Sequence, residues 1–256
     1  MMSASATAQT QTDTGQSTET ATETRKPNSW IDQVLGNEAW NKSITDGAIK
    51  VLRDAYKTDP AFRIRTFDQA RAEHHDGDGK KAIHLFTELA NVGEHTPSML
   101  WLARMAYRGE AQDVDKVKAF EWTHKAAKLG DIQAMVQVAY MFLEGQGTAK
   151  SESSARHWFL YAADRGSDDA NEALLLMFKD GIGGPANKAM ALVFAKRQAK
   201  NYEIDGLYYM GLAYRDGDGV PQDLEEARRA LEAAVEYGHP DAAAALETLG
   251  ALEVKP

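Results

Sequence analysis

Five alanines, Ala82, Ala119, Ala155, Ala191 and Ala227, recur at spacings of 37, 36, 36 and 36 residues. A fixed period of this length is the signature of a repeat architecture, in which each unit buries its apolar face only against its neighbours. Other positions keep the same ruler. Eleven residues after each alanine stand Gly93, Gly130, Gly166, Tyr202 and Gly238. Three after it stand Leu85, Trp122, Trp158, Phe194 and Ala230, and eight after it Ala90, Ala127, Ala163, Ala199 and Val235. A large residue, then a small one, then a glycine able to turn left-handed is what a helix requires to pack closely and reverse.

The segments before these alanines repeat as well. Val138-Ala139, Leu174-Leu175 and Met210-Gly211 are followed three residues later by Phe142, Phe178 and Tyr214, at helical spacing. Between the two helices of each unit lie Glu144-Gly145-Gln146-Gly147, Asp180-Gly181-Ile182-Gly183 and Asp216-Gly217-Asp218-Gly219. The unit over 97–130 reads one residue out of register at Tyr107-Arg108-Gly109. The earliest unit, with Asp76-Gly77-Asp78-Gly79 almost directly before Ala82, has a shortened turn. After Gly238, residues Pro240 to Leu252 supply one closing helix. The expected fold is all-α, a solenoid of antiparallel helix pairs about 36 residues each.

Residues 1–27 read as a Ser/Thr-rich tail. The first 24 hold eleven Ser or Thr and almost no large apolar side chain, so ordering them would cost more entropy than burial returns. Residues 28–65 read as N-terminal capping helices. Trp30, Ile31, Val34 and Leu35, then Ile44, Ala48, Val51, Leu52 and Ala55, suit two short helices. Asp59 and Pro60 are an N-cap and a first helical residue, opening a third helix through Phe62, Ile64 and Phe67 to about Glu73. Residues 66–252 hold about five repeats and a C-terminal capping helix.

The net charge of −9, with 43% hydrophobic and 26% charged residues, repels phosphate backbones and anionic lipid. It argues against nucleic acid and favours basic or neutral partners. The absence of cysteine removes disulfides, thiolate nucleophiles and Cys-based zinc sites together. The longest apolar run, Ala134 to Leu143, is interrupted by Gln137 and is half the roughly 20 residues a membrane span requires. No secretory signal is visible, and a cytoplasmic protein without membrane insertion is expected.

Met210-Gly211, Tyr214, Gly217-Asp218-Gly219-Val220, Asp223, Ala227 and Gly238, together with the run Trp122 to Gly130, resemble the Sel-one-like repeat family, relatives of the tetratricopeptide repeat. The resemblance covers about residues 66–252. It departs from the family pattern at Tyr202, at the shortened first turn and at Ala230. It implies a right-handed superhelix and a scaffold or adaptor role in assembling protein complexes.

Several short patterns invite other chemistry. Gly145 to Ser151 contains the letters of a phosphate loop, but its lysine follows no glycine at the required spacing and no strand precedes it. The two Asp-Gly-Asp-Gly runs resemble half a calcium loop, yet Thr87 and Ala227 stand where the bidentate glutamate would be. His74, His75, His84 and His95 match no zinc spacing. Glu225-Glu226 and Asp168-Asp169 read as acidic helix starts. No catalytic motif appears, so no enzyme activity and no cofactor or metal are expected.

The surface remains. In the related solenoids the first helix of each pair lines the concave face. Carried onto this chain, that places Leu100, Arg104 and Tyr107; Val136, Tyr140 and Leu143; Glu172, Leu176 and Lys179; and Tyr208, Leu212 and Arg215 toward solvent. Aromatic residues and arginine on an accessible groove have the composition of binding hot spots. Val136, Leu176 and Leu212 could instead pack between repeats. The function expected is a non-enzymatic module holding another protein or a peptide segment, as adaptor, regulator or inhibitor of a partner such as a toxin. A hydrolase acting on a cell-wall or small-molecule substrate and a self-associating subunit are the alternatives, and the sequence does not fix the oligomeric state.

Overall fold

Every described element is a helix, and most begin in the same way. The computed structural model describes residues 54, 55, 58–201 and 203–253, with the side chains of 251–253 left aside. The helices are α1 (Pro60–His75), α2 (Gly79–Val92), α3 (Thr96–Arg108), α4 (Lys116–Lys128), α5 (Ile132–Glu144), α6 (Glu152–Ala163), α7 (Asp168–Asp180), α8 (Lys188–Lys200), α9 (Ile204–Asp216), α10 (Leu224–Glu236) and α11 (Ala242–Glu253). Side chains of Asp59, Asp78, Asp115, Asp131, Ser151, Ser167, Asn187 and Asp223 accept backbone N–H groups at the starts of α1, α2 and α4 to α8 and of α10. Each satisfies a donor that a helix start otherwise leaves without a partner. The tail, the two helices expected over 30–56 apart from Asp54 and Ala55, and Tyr202 lie outside the described residues.

Five helix pairs follow one another, α1/α2 to α9/α10, and α11 packs on α10. Each helix packs mainly on the one before and the one after, which is a solenoid of antiparallel pairs. The first helices α3, α5, α7 and α9 end on Gly109, Gly145, Gly181 and Gly217, all left-handed with φ of 71–74°. Gly109 is therefore in register with the others, contrary to the sequence reading. What is displaced is the aromatic: Ala106, buried, stands where α5 has Phe142, and Tyr107 follows it. At the end of α2 the expectation of a left-handed glycine fails. Gly93 has φ −101° and Glu94, at φ 48°, makes the turn one residue later. Gly130, Gly166 and Gly238 do take positive φ.

The five repeating alanines are all buried, and so is the residue four further on in every unit: Phe86, Thr123, Phe159, Ala195 and Leu231. Burying one Phe or Leu contributes roughly 1.5–3 kcal/mol. The column three after the alanine is less uniform, with Leu85, Phe194 and Ala230 buried but Trp122 and Trp158 only half-buried. Val235, in the column expected to pack closely, is exposed, and so is Ile64.

The turns dock on the preceding repeat. A Cβ at Gly147, Gly183 or Gly219 would strike the backbone at Lys116, Glu152 or Lys188 and Ala189, each the N-terminal end of the preceding second helix. Arg156 of α6 secures one such junction. Its guanidinium donates to the carbonyls of Ile182 at 2.7 Å, Met177 at 2.9 Å, Gly184 at 3.1 Å and Pro185 at 3.4 Å, and lies over the Phe178 ring at 4.6 Å.

Candidate partner-binding face

The first helices hold the residues singled out above, and their spacing on a 36-residue ruler puts equivalent positions on successive helices. Tyr140 of α5 and Leu176 of α7 are such equivalents and are exposed by 45% and 46%; Tyr107 of α3, equivalent to Leu143, is exposed by 41%. Glu172 and Lys179 are also exposed, and Leu100 and Leu143 half-buried. Val136 does not belong with them. At 6% exposure it is part of the core.

At the far end of the face, packing claims the side chains. Tyr208 stacks on His239 with ring centroids 3.9 Å apart and packs against two clusters of buried residues, one of them around Leu231 and Leu249. Leu212 packs against that same cluster. Arg215 donates to both carboxylate oxygens of Asp216, at 2.7 and 2.9 Å, and to the Thr248 hydroxyl at 3.2 Å. Arg104 lies over the Trp101 ring at 3.5 Å. Leu212 thus packs between elements, the alternative left open for it, and Tyr208, expected on the binding face, is engaged with His239 and the clusters beside it; the accessible apolar part of the face is Tyr107, Tyr140 and Leu176.

Tyr107 and Tyr140 share a pocket of about 280 Å³. Its lining includes the apolar Ala103, Ala119 and Met141 and, as polar members, Gln137, Glu144 and Gln146. The polar three escaped the sequence reading. Gln137 and Glu144 stand three residues before and four after Tyr140, so helical spacing alone places them beside it. The Tyr140 ring meets Phe159 edge-on at 5.1 Å. Burial, with the charges of Glu172 and Asp169 nearby, pushes the Tyr140 hydroxyl pKa up from its ordinary value. The charges across the face differ in their pairing. Arg215 is held by Asp216 and Lys179 lies 3.9 Å from Asp180. Among the described residues no cation pairs with Glu144 or Glu172; Glu144 accepts a hydrogen bond from the Gln146 amide.

The patterns set aside in the sequence also have places. Gly145 caps α5, and Ser151 caps α6. Asp218 of the later Asp-Gly-Asp-Gly turn accepts from Lys188 at 2.7 and 2.8 Å, and Asp78 of the earlier one caps α2. His74 bonds Glu110 at 2.8 Å and His95 bonds the Ser98 hydroxyl at 2.8 Å, while His75 and His84 are exposed. Among the described residues no three His, Cys, Asp or Glu side chains come together as a metal-holding group. No described helix is long and apolar enough to cross a membrane.

Paired antiparallel helices stacked at a 36-residue period define a helical-repeat protein. Residues 96–131, 132–167 and 204–237 each match the model of the Sel1 repeat, so the chain carries Sel1 repeats there. Two solved structures share the fold. A Sel1 repeat protein from Oxalobacter formigenes aligns with a TM-score of 0.64 at 24% identity, over 83% of this chain and 59% of that one. A protective antigen of uropathogenic Escherichia coli displaying an SLR fold aligns with a TM-score of 0.62 at 22% identity, over 75% of this chain and 42% of that one. The chain thus spans only about half the length of these relatives. No curated protein matches it significantly.

Proposed function

We propose that this chain is a non-enzymatic, cytoplasmic binding scaffold that holds a segment of another protein along its first-helix face. The observation that carries this reading is the succession of exposed Tyr107, Tyr140 and Leu176 on three consecutive first helices. Accessible aromatics on a rigid helical frame supply large contact area at little cost in conformational entropy, as at binding hot spots. The second helices expose Val117, Val193 and Val235, single apolar residues of the kind any surface carries, and Tyr161, whose ring meets those of His157 and Trp158 on its own helix. Sel1 repeats serve generally as protein-interaction modules, which agrees with this use. Adaptor, regulator and toxin-neutralising inhibitor are all forms it can take.

The test is a Tyr140→Ala/Leu176→Ala double variant. Both side chains are exposed, so folding should survive, while affinity for a co-purified partner should fall at least about tenfold. Equal recovery of the same partner by wild type and variant would remove the face from the binding site. Tyr208 is unsuitable for this purpose, because truncating it would disturb the packing around His239.

A further inference from the structure

We infer that the pocket between α3 and α5 receives a lysine or arginine side chain of the bound segment. This rests on the binding-scaffold reading and adds the chemistry of its anchor. The lining supplies what a long basic side chain requires. Ala103, Ala119 and Met141 offer apolar contact for its methylenes, and Tyr107 and Tyr140 offer aromatic rings to its cationic head. Glu144 supplies the countercharge, tethered only by the Gln146 amide, and Gln137 and Gln146 supply acceptors for further N–H groups. About 280 Å³ is room for one such side chain with water, and too little for a folded element.

Charge points the same way. The cations of this face are already engaged: Arg215 with Asp216, Lys179 beside Asp180, and Arg104 over Trp101. On this face Glu144 and the next helix's Glu172 make no ion pair with a described residue, and neither does Arg104, whose Nε is buried without a hydrogen-bond partner. The Lys116 amine lies 5.6 Å from the Tyr107 ring centroid, so that ring already meets one cation of the chain itself and Tyr140 is the ring left to an incoming one. The negative field around Tyr140, set by Glu172 and Asp169, favours a positive ligand further.

The experiment selects short random peptides displayed on phage against the full chain, then measures the best binder by fluorescence anisotropy. The expected result is a basic residue at one fixed position. Replacing it by norleucine, or changing Glu144→Gln in the protein, should each weaken binding about tenfold. The two changes together should cost no more than either alone, because both remove the same contact. Glu144 is exposed and outside the core, so Glu144→Gln leaves the fold intact. Peptides that lose binding to Tyr140→Ala/Leu176→Ala yet show no basic preference and ignore Glu144→Gln would overturn this inference while leaving the scaffold reading standing. Selection that yields no peptide sensitive to the double variant would overturn both.

Discussion

Arg156 shows how one side chain can decide the geometry of a repeat junction. It sits one position after the repeating Ala155, where α4 has Phe120 and α8 has Leu192, so the pattern predicts nothing unusual there. Yet it is only 8% exposed, and its guanidinium reaches three carbonyls of the turn joining α7 to α8 and that of Met177 in the last turn of α7. Ile182, Gly184 and Pro185 lie beyond the end of α7, where helical N–H donors do not reach, while Met177 also accepts from the Gly181 and Ile182 N–H groups. Burial lowers the arginine's pKa from its usual value, the expected mark of a cation removed from water. Because the planar fork matches several acceptors at once, lysine is no substitute. Arg156→Ala should destabilise the protein by about 2–4 kcal/mol, with Arg156→Lys recovering less than half of that. Denaturant midpoints of the two variants and wild type check this; a loss below about 0.5 kcal/mol for Arg156→Ala would mean that water serves the turn equally well.

At the scale of the helix and its turn, the glycines separate two roles that look alike in the sequence. Gly166 ends a second helix at φ 87° with nothing near the position a Cβ would take. Gly183 also has positive φ, 75°, but a Cβ there would collide with the Glu152 carbonyl. Gly166→Ala should therefore cost about 1–2 kcal/mol, the left-handed strain of an L-residue. Gly183→Ala should cost about 3–4 kcal/mol, since the turn must also lift off α6. Thermal midpoints would compare them, and equal losses would show that the turn does not dock as described. The period and the helix pairs were legible because glycine and alanine stand at set positions; of the N-caps only Asp59 was legible, since an isolated Asp, Ser or Asn without a following Pro looks like any turn residue. The most deeply buried column was not legible, because Phe86, Thr123, Phe159, Ala195 and Leu231 share a position but no side-chain chemistry. Conversely Trp122 and Trp158 are conspicuous by type yet half-buried. The face was readable in part: Tyr107, Tyr140 and Leu176 are accessible, whereas Val136, Tyr208 and Leu212 are claimed by packing between elements that no single-helix pattern represents.

At the scale of the whole molecule, charge is concentrated in particular helices. α8 carries Lys188, Lys196, Arg197 and Lys200 with no acid, while its partner α7 carries Asp168, Asp169, Glu172 and Asp180 against Lys179 alone. Among the first helices the acid is thus concentrated on α7, the helix after the Tyr140 pocket, whereas α5 carries Glu144 alone and α3 carries Arg104 and Arg108 with no acid. Because each helix packs mainly on its sequence neighbours, stability should be local as well. Leu231, fully buried, belongs to a cluster with Ala227, Ala245 and Leu249 that ties α10 to α11. Leu231→Ala should cost about 2–5 kcal/mol there. In a globular core that loss would be shared by every element that opens through global unfolding. In this solenoid, native-state hydrogen exchange should accelerate in α9, α10 and α11 and stay within about twofold of wild type in α3 to α6, whose neighbours are unchanged. Uniform acceleration across all helices would mean that the repeats unfold as one cooperative unit, and that a partner gripping Tyr107 and Tyr140 would stabilise the far end as strongly as the near one.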